Sequence, residues 1–597
     1  MKAETLETDV LIIGGGAAGC SAALTAHKRG ARVQMVVKGK MGRSGATPLA
    51  SGIAAGPSLR IPYWVMKAAK KVYKFLADYF LVPIPVGVEK NLRGVLDSHY
   101  GLVDQDYFVD FSAWAVSRFF PRLERNAFYV LRHDNGEVVH PTGGGFTFVS
   151  HSHGMTGYQF GEARRKEVIA ADIPVMEEAM AFELLKNEQG EVAGAMVLDY
   201  KTGKLYAIKA GATILATGHT NWLAKRTTGT REMAANGLAM AVRAGATLEN
   251  VEIQWFHAAD LAEPASWMRL HHYPNPIHGS THRGVMKNAA GETYMRIEEY
   301  NTRVPYPIQM KKLYQQIKAG KASWDKGSFN NFSPVERDAL KNYQYHWEFY
   351  EKIGKDMATD DLECGITWHM SAGGVSVDTD TMATTVPRLY IAGAVGGHML
   401  GGLPFATYDG EVAGASAAAC ATAGGSPALA GNQQIAKAEQ RLTSLLASAA
   451  AKGNAPTLSP IQIKTRIREI VWDNMMYART DQGLQRGLQE LAAVRGELAK
   501  LKLRSASARF NTDLVDALDI EDMIDVCEMV AHAARERTES RGPHFREDFP
   551  YTDNDNWLKK IVVWREGQMV KTRTVPVEQK YVRYKPGRRD FFEDPYA

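Results

Sequence analysis

The 597-residue sequence predicts an α/β fold, and three observations carry that expectation. A short apolar run, Val10–Ile13, leads straight into three consecutive glycines, Gly14–Gly16. A small-residue helix and a second apolar strand follow at once. Two further apolar strands, ending near Gly218 and Gly393, also run into glycines.

The first unit reads as strand, turn, helix and strand. Val10–Ile13 is short and continuously apolar, as a strand buried on both faces is. Ala17–Arg29 reads as a helix ended by Gly30, and Arg32–Val37 as the next strand. In this setting Gly14-x-Gly16-x-x-Gly19 points to a dinucleotide. Glycines permit the tight turn and let backbone N–H groups approach a pyrophosphate at the helix N-terminus. The acidic residue that usually ends the second strand and binds a ribose hydroxyl is absent. Val37-Lys38 stands there instead.

Next comes GRSGATPLASGIAAGP (Gly42–Pro57), whose small residues suit close contact with a planar ligand. Val192–Tyr200 and Tyr206–Gly218 read as strands, Pro387–Gly402 as a buried strand entering glycines, and Tyr408–Gly424 as a small-residue helix. Asn432–Gly453 and Pro460 to about Glu536 have helical period. The tail from Trp557 is polar and strand-like.

Bulk properties narrow the function. A formal charge of +5 is small for this length and does not suggest nucleic acid. The four cysteines, Cys20, Cys364, Cys420 and Cys527, form no C-x-x-C pair. The chain therefore supplies neither an iron–sulfur cluster nor a cysteine-rich zinc site, and no metal site is expected. A disulfide framework is equally unexpected, which fits a reducing, cytoplasmic setting. No signal peptide or membrane-spanning run is expected.

Four segments together resemble one family: the glycine fingerprint at Gly14–Gly19, Ile214–His257, TWHMSAGGVSVD (Thr367–Asp378), and Phe510–Lys559 with its ESRGPHFREDFP stretch. The chain resembles the flavoprotein subunit of succinate dehydrogenase and fumarate reductase. That superfamily includes L-aspartate oxidase and the alpha chain of adenylylsulfate reductase. The resemblance implies a Rossmann-like FAD-binding domain (1–56, 150–255 and 370–430), an inserted α+β capping domain for substrate (256–369), and a C-terminal helical domain (431–556). An inserted segment at 57–105 and a tail at 557–597 complete the division.

The resemblance implies FAD, a small-molecule substrate and an iron–sulfur protein as partner. Cofactor contacts are expected at Gly14, Gly16, Gly19, Lys38, Arg43, Ser44, Gly45, Ala46, Thr47, Gly52, Ala216, Thr217, Gly218, Asn236, Gly393 and Gly402. The respiratory enzymes carry FAD covalently on a histidine near this RSGAT position. Arg43–Thr47 holds none, so non-covalent FAD is expected. QWFHA places His257, and TWHMSAGG places His369, at the family's two substrate histidines. His282 and Arg283 are further active-site candidates, and Arg283 and Arg303 are candidates for the proton-delivering arginine. His398 stands in the loop where the family keeps a substrate-clamping arginine, and His398–Gly401 contains no arginine. The family's dicarboxylate-contacting Thr-Glu pair is not recognisable near Pro276-Ile277.

Three functions follow as alternatives. One is a fumarate reductase-like or succinate dehydrogenase-like enzyme exchanging hydride between flavin N5 and a small substrate. Another is an adenylylsulfate reductase-like flavoprotein acting on a sulfur substrate, which RSGA and the missing arginine favour. The last is an electron-transfer flavoprotein without its own substrate site, against which His257 and His369 argue.

Arg60–Gly87 lies outside the family pattern. Lys67, Lys70, Lys71 and Lys74 share one helical face, and aromatic residues crowd the rest. Such a helix docks either at the inner membrane surface or against a protein.

Overall fold

The computed structural model describes residues 1–50, 53–55, 86–123, 128–130, 135–136, 146–148, 156–261, 266–270, 284–296, 306–341, 344–425, 429, 433–450 and 457–593. The Lys67–Lys74 face, His282, Arg283, Arg303 and Gly52 lie outside them.

The chain opens with strand β1 (Ala3–Ile13), helix α1 (Ala17–Lys28) and strand β2 (Val33–Val37). Strands β3 (Val175–Glu177), β4 (Ala179–Lys186), β5 (Val192–Asp199) and β6 (Lys204–Leu215) complete the run β3-β2-β1-β6-β5-β4. Leu389–Ile391 also pairs with β6. β3, β2, β1 and β6 are mutually parallel, whereas β4 and β5 are antiparallel. Ile12 pairs with Ile214, so the glycines after β1 and those after β6 meet at one edge. Val10, Leu11 and Ile12 are fully buried, which explains their unbroken apolar run.

Helix α2 (Asn236–Ala244) leads to a second, six-stranded sheet. Its strands β7 (Gln254–Leu261) and β8 (Leu362–Ser371) pair antiparallel along their length. Helix α3 (Leu403–Gly424) returns to the first sheet. It starts five residues before the expected Tyr408, because Pro404 suits a first helical turn.

The C-terminal part packs α4 (Pro460–Asn474), α5 (Asp481–Gly496) and α6 (Thr512–Glu536) against one another. A hairpin of Lys559–Glu566 and Met569–Pro576 then joins Leu248–Glu249 in a four-stranded sheet, fastening the tail to the first domain. No helix among the described residues is long and apolar enough to cross a membrane.

Candidate active site

The cradle for a dinucleotide is built from backbone. Gly14 has φ +123°, and a Cβ there would lie 2.1 Å from the Ala216 carbonyl oxygen. A Cβ on Gly19 would lie 2.0 Å from the Gly14 carbonyl oxygen. Any side chain at either place would push the strand–turn–helix unit apart. Helix α1 is capped at Gly16, and the Ala17 N–H donates to Thr47 Oγ1 at 3.0 Å.

Helix α3 lies parallel to α1 and almost touches it. A Cβ on Gly410 would sit 2.3 Å from the Ala18 carbonyl oxygen, and one on Gly414 2.5 Å from that of Ala22. Gly393, at φ +78°, abuts both Ala18 and Ala406. The two helices run in the same direction, with α3 starting at Leu403 ahead of its contact with Ala18, so the positive N-terminal ends of both are turned toward the glycine edge. Their partial charges and unpaired N–H groups favour an anionic group, as a pyrophosphate is. The residues present fit FAD.

The reactive side carries histidines. In the β7–β8 ladder Trp255 pairs with Met370 and Phe256 with Trp368, so His369 is the extra residue of a bulge. A bulge redirects a side chain that alternation would send to the other face. The His257 and His369 rings end 4.3 Å apart, edge to face. Thr228 Oγ1 lies 2.9 Å from His369 Nδ1 and 3.2 Å from the His369 carbonyl oxygen. Both contacts are satisfied when the hydroxyl donates to the carbonyl and accepts from Nδ1–H, which leaves the proton off Nε2. Burial lowers the pKa of His369 to about 3, with nearby His219 adding to the effect. The ring is therefore neutral at physiological pH.

Comparison with known proteins bears on this geometry. Residues 9–404 match the family described as "FAD binding domain", and residues 464–591 match "Fumarate reductase flavoprotein C-term". A subunit of the CoM/CoB fumarate reductase of Methanothermobacter marburgensis is 27% identical, over 95% of this chain and 98% of that protein. E. coli quinol fumarate reductase FrdA superposes with a TM-score of 0.81 at 20% identity, covering 98% of each chain. Adenylylsulfate reductase from Archaeoglobus fulgidus gives 0.78 at 20% identity, again over 98% of each.

The chain is a flavoprotein of the succinate dehydrogenase/fumarate reductase superfamily. It is an FAD-dependent oxidoreductase.

Other expected site residues of this flavoprotein occupy defined places. His398 is buried, its ring stacked 4.4 Å from that of Tyr107. Its Nε2 donates to Asp409 Oδ2 at 3.0 Å, and the Leu400 N–H approaches Nδ1 at 3.4 Å. Both nitrogens are used by the protein. Asp409 also accepts from Tyr107 Oη at 2.7 Å and from the Gly393 N–H at 3.0 Å. Asp409 thus ties the 393–400 loop to α3, and His398 is a member of that tie.

Lys38 and Asn236 belong to a buried charge network. Lys38 Nζ donates to Asn236 Oδ1 at 2.9 Å and to Asp519 Oδ1 at 2.6 Å. Asn236 Nδ2 donates to Asp519 and Asp522. Lys464 bridges Asp516 and Asp519, each at 2.8 Å. Asp516, Asp519 and Asp522 lie three residues apart on one face of α6 and clamp it to the first domain. The lysine at the end of β2 thus serves this clamp. Its two neighbouring cations hold the Asp519 carboxyl below its usual range despite burial.

Arg43 forms a two-pronged, half-exposed pair with Glu162, and Ser44 closes its own turn by bonding Lys40. Gly45 and Gly218 have φ +76° and +80°. Ala46 accepts from the Leu49 N–H, and Thr217 packs against Gly237 at the start of α2. Gly402, at φ +119°, caps α3.

Sequence reasoning missed three participants: His219, Thr228 and Asp409. His219 stands in ATGHT, directly after the glycine turn, and that position was its only signal. Thr228 and Asp409 show no local pattern. Each becomes meaningful only through residues 141 and 11 positions away.

Proposed function

We propose that this chain is the flavoprotein subunit of a fumarate reductase-type enzyme, exchanging hydride with a small unsaturated or saturated acid, with electrons passing through a separate iron–sulfur protein. The observation that carries the reading is the His257–His369 pair, 4.3 Å apart on the strands that adjoin the FAD domain. Bound FAD supplies hydride transfer at its N5 position. The chain itself binds and polarises the substrate. Two imidazoles in a buried site, His369 held neutral, place hydrogen-bonding groups where charge changes during the reaction. The scattered cysteines, together with relatives named as subunits, support a partner that carries the clusters.

The test is fumarate reduction by purified, FAD-loaded protein with reduced viologen as electron donor, beside His257→Ala and His369→Ala. Turnover in the wild type with loss in both variants supports the reading. Equal turnover in wild type and variants defeats it.

A second reading has one specific observation in its favour: His398–Gly402 contains no arginine to clamp a dicarboxylate. In that reading the substrate is a sulfur oxyanion. AMP-dependent bleaching of the bound flavin by sulfite, without a response to fumarate, selects it.

A further inference from the structure

We propose that His219 is a third histidine of the substrate site, donating its Nε2–H to a carboxylate, carbonyl or sulfur-bound oxygen of the substrate beside His369. This inference rests on the functional reading above and deepens it.

Its first support is placement. His219 follows Gly218 at the end of β6, the strand whose Ala216 forms part of the dinucleotide cradle. Two links tie this turn to β8 just past His369. The Ser371 N–H approaches His219 Nδ1 at 3.4 Å, and Thr220 Oγ1 meets Ser371 Oγ at 2.6 Å. The glycines just before α3 close the other side, where a Cβ on Gly401 would lie 3.8 Å from His219 Cε1. His219 therefore stands between the cradle, the N-terminus of α3 and His369.

Its second support is protonation. A backbone N–H only donates, so Nδ1 accepts and the proton of the neutral ring sits on Nε2. Burial lowers the His219 pKa to about 4, which keeps the ring in that neutral form. The neighbouring His369 carries its proton on Nδ1, toward Thr228. The two imidazoles thus differ in polarity: His219 offers a donor at Nε2, and His369 is deprotonated there. A substrate oxygen fits the first, and a proton in transit fits the second. His398 lacks this capacity because Asp409 and Leu400 use both its nitrogens.

The experiment compares FAD-loaded wild type, His219→Ala and His219→Gln. Flavin difference spectra are titrated with fumarate and, separately, with sulfite, and turnover is measured with reduced viologen. Flavin content and melting midpoint report folding. Losing one donor to a charged oxygen should weaken probe binding about 10- to 100-fold in the alanine variant. Glutamine can accept from Ser371 and still donate, so it should recover most of the loss. Unchanged affinity and turnover in His219→Ala overturn the inference alone. A loss that glutamine fails to recover, with FAD and folding intact, also overturns the donor role. A wild-type protein whose flavin responds to neither probe overturns the functional reading, and the inference with it.

Discussion

Two of the buried polar regions among the described residues are built on opposite rules. In the C-terminal region, Arg479, Arg537, Arg541 and Arg546 are almost wholly buried. Their charges are met by carboxylates and carbonyls. Arg537 bonds Glu252 and Glu539, Arg541 grips Glu539 with two nitrogens and the Tyr100 carbonyl with a third, and Arg546 holds Asp548. The histidine site holds no such ion pair among its described residues. His369 and His219 are kept neutral by desolvation, with pKa values lowered to about 3 and about 4. A network of paired charges fixes geometry. Neutral imidazoles can present hydrogen-bond donors and acceptors without a buried charge to balance.

The first way to break this comparison is to unpair the network. Glu539 accepts from both Arg537 and Arg541 and from the Asp553 N–H. Glu539→Ala leaves two buried guanidinium groups without their shared carboxylate. Removing one partner of such a pair costs about 3–5 kcal/mol, a large fraction of a domain's stability. Urea unfolding should show this loss, or the variant should fail to accumulate. A midpoint equal to wild type would show that the network is not structural.

The histidine site should respond in the opposite manner. His257→Ala and His369→Ala should each lower turnover by about 10²–10⁴-fold, as loss of a positioned proton-handling group does. FAD content should stay intact and the melting midpoint should move little. If either variant instead loses FAD, the histidines belong to the cradle.

This contrast also explains what was legible in the sequence. The strand, glycine and small-residue pattern at Val10–Arg29 is local, so the cradle could be read there. ESRGPHFRED marked the family, yet its residues build scaffold. Only the motif resemblance singled out His257 and His369, because the bulge that joins them breaks the alternation on which strand reading depends. Lys38 was expected at the cofactor from its place after the second strand, and its ammonium also bonds Asp519, 481 residues away. His398 was expected in the substrate loop from the resemblance, and its ring bonds Asp409 within α3. Such pairings depend on which helix packs where, and no local pattern contains that.

A third prediction concerns acid. His219 and His369 have folded pKa values below the ordinary 6.5, because burial disfavours their charged forms. The unfolded chain therefore binds protons first. The stability tied to these two groups is fully present above pH 6.5 and is lost as pH falls toward 4 and 3. Each contributes a slope of up to about 1.4 kcal/mol per pH unit in that window. Urea midpoints of the FAD-free protein between pH 7 and 4 should fall more steeply than those of His219→Gln. Parallel curves would mean that His219 is solvated and titrates normally.

The smallest effect is expected at Arg43, and it sharpens the comparison at its exposed extreme. Arg43 and Glu162 form a well-shaped pair, but the arginine is half-exposed to water. Exposed pairs gain little, because solvent screens the attraction and two long side chains must be ordered. Arg43→Ala should therefore leave the melting midpoint unmoved, unlike Glu539→Ala, although both remove one member of a charged pair. The same variant decides what RSGAT does for the cofactor. Arg43 is paired with Glu162, whereas Thr47 Oγ1 accepts from the Ala17 N–H at the start of α1. FAD affinity, read from quenching of flavin fluorescence, should change by less than about twofold in Arg43→Ala, consistent with a screened surface charge. It should weaken more in Thr47→Val, which removes the hydroxyl at the N-terminus of α1. The reverse order would show that Arg43 leaves Glu162 for the cofactor once FAD is loaded.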